Sequence, residues 1–311
     1  MQLDYSKKHI GLNNRATFAT EAVITGRGVH TAEQVRLRLI PAPAQTGVVF
    51  RSTDSDVTPI LVSPFSVVDT CHAVSLGNEE WRVATVEHLL AALHIAGITD
   101  GIIEVSGGSE LPIMDGSAYP FYEAIVEGAG VMDLGQPLEP IVVTAPLWEI
   151  QGDRYVIALP SDNLRISSGI SYEHPQLKGG FLALDMDSET CINELLAART
   201  FGFLNEVEAL KAQGLARGAS VENAVVLTED GYLNDSLRFP DECVRHKVLD
   251  IIGDLYLMGR PLQAHIIASR TGHSLNVALG RRILEALTGN ELTSRRNTSD
   301  ELPSTGDLTG H

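Results

Sequence analysis

Residues 244–258, VRHKVLDIIGDLYLM, set His246, Asp250 and Asp254 at intervals of four in a run that is otherwise largely apolar. Four residues is about one helical turn, so on a helix the three side chains stack along one face. Val244, Val248, Leu249, Ile251, Ile252, Leu255 and Leu257 surround them. A helix apolar almost all round belongs in the interior. There an imidazole and two carboxylates are costly unless paired or bound to a metal ion. Spacing alone leaves two outcomes open. His246 and Asp250 can satisfy each other as a polar ladder, or they can hold one cation with a third ligand from elsewhere.

Outward from this helix, expected over Glu242–Met258, the chain reads as an α+β protein. AHIIASR (264–270) is a strand, and a last helix is expected near Ser274–Leu287. Upstream, IVVTAPLWEI (141–150), RYVIALP (154–160) and LRISSGISYE (164–173) read as strands, with helical segments around Glu189–Ala197 and Glu206–Gln213. The N-terminal half repeats the order of strands first and helices later. ATFATEAVITGRG (16–28) and VRLRLIPA (35–42) alternate, and Gly47–Arg51 is a further short strand. Thr85 is the expected N-cap of a helix over VEHLLAALHIA (86–96), with Gly97 as its C-cap. Gly101–Val105 then reads as a strand, and PFYEAIVEGAG (120–130) as a second helix. The Gly- and Pro-rich stretch GVMDLGQPLEP (130–140) marks the division. The expected organisation is a flexible N-terminus over 1–16, α+β domains over 17–132 and 133–289, and a disordered polar tail over 290–311. The similar order of elements suggests an ancient duplication.

The bulk composition limits the function classes. The chain has 311 residues, with 44% hydrophobic and 20% charged, which is globular. A net charge of -17 argues against broad binding to nucleic acid or anionic membrane, and leaves an anionic substrate only at a locally basic site. Cys71, Cys191 and Cys243 form an odd, sparse set that suits a reducing compartment. No apolar leader or run of about 18 apolar residues is present, so a cytoplasmic protein without membrane insertion is expected.

A third ligand can come from TVEHLLAAL (85–93), where Glu87 and His88 stand in the first turn of a helix. Glu87 is comfortable at a helix N-terminus in any case, and a lone His88 is often a plain core or surface residue. Together, His88, His246 and Asp250 supply three N/O ligands and leave one position for water, with Glu87 as a candidate general base. His273, in SRTGHSLN, follows a strand and a glycine and is placed to enter a cleft, where Asp254 can favour its protonated form. Helix capping is the competing role for His273. His30, in GRGVHT, and GGSE at 107–110 read as turns.

TVEHLLAAL, PIMDGSAYPF (112–121), ARTFGF (198–203), RHKVLDIIGDL (245–255) and TGHSLN (271–276), in this order, resemble the UDP-3-O-acyl-N-acetylglucosamine deacetylases, as do VHT (29–31) and LRLIPAPAQTGVVFR (37–51). The likeness spans about Thr17 to Leu287. It implies a zinc amidase of two similar α+β domains, each a sheet packed with helices, with the active site between them. The reaction implied is removal of acetate from UDP-3-O-(3-hydroxyacyl)-N-acetylglucosamine, early in lipid A biosynthesis. By matching motif, one Zn2+ per chain would be held by His88, His246 and Asp250. Glu87 would be the general base, His273 the general acid with Asp254 behind it, and Thr200 an oxyanion donor. Lys247 would contact the polar part of the substrate, Phe201 would pack near the sugar, and His30 would fall at the cleft. Leu204, Val207, Val221 and Ala224 would line an apolar passage for the acyl chain. The partners implied are this substrate and water, with no nucleic acid, and the protein is expected to be a monomer. DTCHAVSL (69–76) departs from forms with a cysteine close to the metal, and neither Cys71 nor His72 is assigned a role. A zinc amidase for another N-acetylated sugar, a non-catalytic protein of this fold, and an Fe(II) rather than zinc site are the alternatives.

Overall fold

The computed structural model describes residues 14–299. The first half contains β1 (Asn14–Phe18), β2 (Ala22–Arg27), β3 (Gln34–Ile40), β4 (Val48–Ser52), β5 (Ile60–Leu61), β6 (Val67–Asp69), β7 (Ser75–Gly77) and β8 (Arg82–Ala84). Helix α1 (Glu87–Ala96), β9 (Gly101–Ser106) and α2 (Tyr119–Glu123) follow, and α2 runs on as a π turn over Ala124–Ala129. The second half contains β10 (Val131–Pro137), β11 (Ile141–Val142), β12 (Leu147–Gln151), β13 (Arg154–Leu159), β14 (Leu164–Ile170) and β15 (Gly180–Asp185). It continues with α3 (Ser188–Glu194), β16 (Phe201–Phe203), α4 (Leu204–Ala212), β17 (Val225–Leu227), α5 (Glu242–Tyr256), β18 (Leu262–Ser269) and α6 (His273–Ser299).

The two halves share one topology. The first sheet has the order β2-β3-β9-β4-β5 and the second β12-β13-β18-β14-β15, with β11 added beside β18. In each, the first two pairings are antiparallel, the third is parallel and the fourth is antiparallel. In each, the strand in the middle is the last to be made, and a buried helix immediately precedes it: α1 before β9, and α5 before β18. This is the α+β architecture of two similar units that the order of elements suggested.

Helices α1 and α5 pack against each other, joining the halves in one apolar core that includes Leu89, Leu93, Val248 and Ile252. Their approach depends on Gly253. A Cβ there would lie 2.2 Å from the carbonyl oxygen of Glu87, so only a glycine lets the start of α1 rest on α5.

Several local expectations are corrected. Thr85 does not cap α1: it takes φ 59, and the helix starts after Val86 with no side-chain cap. Its hydroxyl is drawn instead toward Glu110, at 3.4 Å. Gly97 does end α1, at φ 74, with its N–H donating to the His94 carbonyl. The stretch GVMDLGQPLEP contains β10, paired antiparallel with β1. A two-stranded edge ribbon tolerates a terminal proline that a central strand would not. The last helix runs to Ser299, past the position where the tail was expected to begin. The loose N-terminus expected over 1–16 is shortened, since β1 begins at Asn14 and pairs with β10; residues 1–13 and the rest of that tail lie outside the described residues.

Candidate metal centre and active-site cleft

The duplicated helices present the ligands. His88 stands in the first turn of α1, and α5 carries His246 and Asp250 one turn apart. One ligand atom from each of the three lies within 4.8 Å of the others, and all three residues are buried. His246 Nε2 is 3.3 Å from Asp250 Oδ1. The rings of His88 and His246 meet edge-on with centroids 4.9 Å apart.

The donor set fits a divalent cation. His246 Nδ1 lies 3.0 Å from the carbonyl oxygen of Ala198. A carbonyl only accepts, so Nδ1 carries the proton and the Nε2 lone pair turns to the site. His88 Nδ1 is buried and has no hydrogen-bond partner. Burial lowers His88 to about 3 and lowers His246 as well, so both are neutral, the form that binds metal. Burial pushes Asp250 up, but Lys247 first, and charged His273 with it, outweigh this and hold the carboxylate ionised. A self-satisfied ladder accounts for the His246–Asp250 contact. It leaves the orphaned His88 nitrogen unexplained.

Two further groups flank the triad with opposed protonation. Glu87 is buried, its Oε2 accepting from the Val74 N–H at 3.0 Å, and burial raises it to about 7. His273 opens α6, with Nδ1 2.9 Å from Asp254 Oδ2. Asn276 Nδ2 donates to that same oxygen at 2.8 Å, and the Thr271 hydroxyl donates to Asn276 at 2.7 Å. Burial pulls His273 down, but the paired Asp254 carboxylate more than reverses this and lifts it to about 9. The histidine is charged at neutral pH, and its Nε2 is free to deliver a proton. Neighbouring groups pushed apart in this way can divide base and acid roles.

The ligand triad, Glu87 and His273 line a single cleft. Thr200, Phe201, Lys247 and His30 line it as well. Lys247 Nζ bonds Asp250 Oδ2 at 2.7 Å and sits 5.6 Å from the Phe201 ring centre. The Ala216 N–H donates to His30 Nδ1 at 3.3 Å, so the proton of a neutral His30 is on Nε2. Of the four residues expected along an acyl passage, Val207 and Ala224 line the cleft, with Phe203, Leu210 and Val226 beside them. Leu204 and Val221 are not among the lining residues; both are exposed, on the outer side of the same segment. Asp254 lies behind His273 rather than on the cleft surface.

The sequence left His72 without a role, yet it lines the cleft, with its ring centre 6.2 Å from that of His30. It takes φ 64, and no periodic pattern announces a histidine placed by one left-handed residue. Cys71 is exposed and does not line the cleft. Glu206, Ala216 and Ala219 also line the cleft; they fall within residues 203–226, the region expected to form the acyl passage, though none of the three was singled out.

The LpxC family model, UDP-3-O-acyl N-acetylglycosamine deacetylase, matches residues 15–285. A UDP-3-O-acyl-N-acetylglucosamine deacetylase of Leptospira biflexa is 48% identical over 286 residues, covering 91% of this chain and 94% of its own. The protein of that name from Myxococcus xanthus is 45% identical over 274 residues, 87% of this chain and 86% of its own. That from Thermodesulfovibrio yellowstonii is 40% identical over 269 residues, 86% and 91% respectively. A buried two-histidine, one-carboxylate centre between duplicated α+β halves, together with likeness along nearly the whole described chain, makes this protein a member of the UDP-3-O-acyl-N-acetylglucosamine deacetylase family.

Proposed function

We propose that this chain hydrolyses the acetamide of UDP-3-O-(3-hydroxyacyl)-N-acetylglucosamine, releasing acetate and the free amine at an early committed step of lipid A biosynthesis, with one zinc ion per chain. The observation that carries the reading is the meeting of His88 from one half with His246 and Asp250 from the other, beside Glu87 and His273. The ion, when bound, supplies Lewis acidity, polarising the amide carbonyl and making water acidic near neutrality.

The rest of the chemistry belongs to side chains of this chain. Glu87 takes the proton of the attacking water. The Thr200 hydroxyl donates to the developing oxyanion; its backbone is fixed by Thr200 N–H to Gly116 O at 2.8 Å and Val225 N–H to Thr200 O at 2.7 Å. Removing such a donor typically costs about 10²–10³ in rate. The amine leaves only when protonated, and His273 Nε2 supplies that proton, with Asp254 holding the imidazolium. Lys247 and His30 face the polar part of the substrate, and Phe201 the sugar. Lys247 and charged His273 are the cations of the cleft lining, each paired with a carboxylate, Asp250 and Asp254 respectively. Val207 and Ala224 form the apolar wall for the acyl group, with Leu204 and Val221 at its outer side.

Two histidines and one carboxylate also suit Fe(II), so metal analysis of purified protein accompanies the proposal of zinc. Every group in the scheme comes from one chain, which favours a monomer. Free cysteines favour the cytoplasm. Among the described residues no helix is long and apolar enough to cross a membrane.

The apolar wall favours the acylated substrate over another N-acetylated sugar. The test is acetate release from acylated and non-acylated UDP-N-acetylglucosamine, with and without chelator. Chelator-sensitive release that depends strongly on the acyl chain is expected. Equal release from both substrates would transfer the assignment to a different sugar amidase.

A further inference from the structure

One buried ion pair lies outside the scheme above. Glu242, in the first turn of α5, and Arg199, between Ala198 and Thr200, are 1% and 7% exposed. Arg199 Nε donates to Glu242 Oε1 at 2.8 Å, and Nη2 donates to Oε2 at 3.2 Å. The carboxylate also takes two backbone donors: Arg199 N–H to Oε1 at 3.0 Å and Arg238 N–H to Oε2 at 2.7 Å.

The Arg199 N–H and the Ala198 C=O belong to the same peptide unit. That carbonyl is the acceptor of His246 Nδ1, at 3.0 Å. One rigid plane therefore joins Glu242 at one edge to a metal-ligand histidine at the other, and Glu242 and His246 stand one turn apart on α5. Two consequences follow from elementary chemistry. A peptide plane is stiff, so the carboxylate that fixes its N–H also fixes the carbonyl that aims the imidazole. A charged acceptor on the N–H polarises the amide, makes its oxygen a stronger acceptor, and so makes the imidazole a more basic ligand. The next residue along the anchored backbone is Thr200, which lines the cleft.

We propose that Glu242 is a positioning residue that orients and tunes His246 through the Ala198–Arg199 peptide, and holds the Thr200 hydroxyl in register with it. This rests on the reading of His88, His246 and Asp250 as a cation site. The rival is a buried ion pair that only stabilises the fold.

The test is the Kd for zinc alone, by chelator competition, in wild type, Glu242→Gln and Glu242→Asp, with Tm measured for each. Glu242→Gln removes the charge, and Glu242→Asp keeps it but withdraws it by one methylene. Each is expected to weaken zinc about 10- to 100-fold, the range typical of outer partners of metal ligands, and to lower kcat while KM stays within about twofold. Phe50→Leu, a substitution in the core of the first sheet, serves as the control at comparable loss of Tm, with zinc affinity expected unchanged. A folded Glu242→Gln that binds zinc within about twofold of wild type, or no more weakly than the control, overturns the proposal. If that variant does not fold, Glu242→Asp decides by the same criterion. Wild type that binds no zinc would instead sink the cation-site reading beneath it.

Discussion

His273 is the residue whose environment makes the sharpest demand on the mechanism. Its charge is sustained against burial by Asp254, with a pKa of about 9. A group raised above its ordinary value stabilises the fold fully below about 6.5, and that contribution is lost as pH rises through about 9. The same window applies to its proton donation. We expect kcat to fall as pH rises above about 9, and Asp254→Asn to move that fall to lower pH, because only the Asp250 and Glu87 carboxylates then oppose burial. A pH–kcat profile of both proteins checks this, and coincident alkaline limbs would remove Asp254 from the role. Glu87→Ala is expected to keep zinc and substrate binding while slowing turnover about 10²–10⁴-fold, as measured by metal analysis and single-turnover acetate release. Retention of the full rate would exclude Glu87 as the base. At this scale the motifs were legible where chemistry demands a residue type at a fixed spacing, as in His246 with Asp250. His72 was left unassigned, because a left-handed backbone rather than a period presents it. So was Glu242, whose partner stands 43 positions away.

The element that decides the site is the pair α1 and α5. Its existence was legible from the apolar period of VRHKVLDIIGDLYLM and from the Gly97 cap. The close crossing was not, since it rests on one glycine meeting a backbone oxygen from the other half. Gly253→Ala places a methyl group 2.2 Å from the Glu87 carbonyl, and a backbone atom cannot swing away as a side chain can. We expect a destabilisation of about 1–3 kcal/mol together with weakened zinc binding, since the shift separates His88 from His246 and Asp250. Thermal unfolding and zinc titration test this. A Gly253→Ala variant with unaltered Tm and zinc affinity would show that the crossing has slack. Short strands such as β5–β8 and β16–β17 escaped the sequence because two or three residues carry too little alternation to register.

For the whole molecule, the repeated topology puts the candidate metal site where two similar halves meet, so a cation held there would tie them together. Zinc at about a hundredfold excess over its Kd should stabilise the native state by about 2.7 kcal/mol. For a chain of this size that is an expected rise in Tm of about 4–5 °C over the chelated protein. An unchanged Tm would mean that the native state gains nothing from the ion. The order of strands and helices disclosed the likeness of the two halves, but the sheet order, with the last strand inserted in the middle of each half, has no local signature.

The most direct measurement is acetate release from UDP-3-O-(3-hydroxyacyl)-N-acetylglucosamine by chelator-stripped protein titrated with zinc, beside His88→Ala and Asp250→Ala. Activity that is absent without metal and reaches its plateau at one equivalent per chain, with both variants failing to recover at that ratio, is the expected result. Full activity in the stripped protein, or recovery of either variant at one equivalent, would contradict a single cation shared by the two halves.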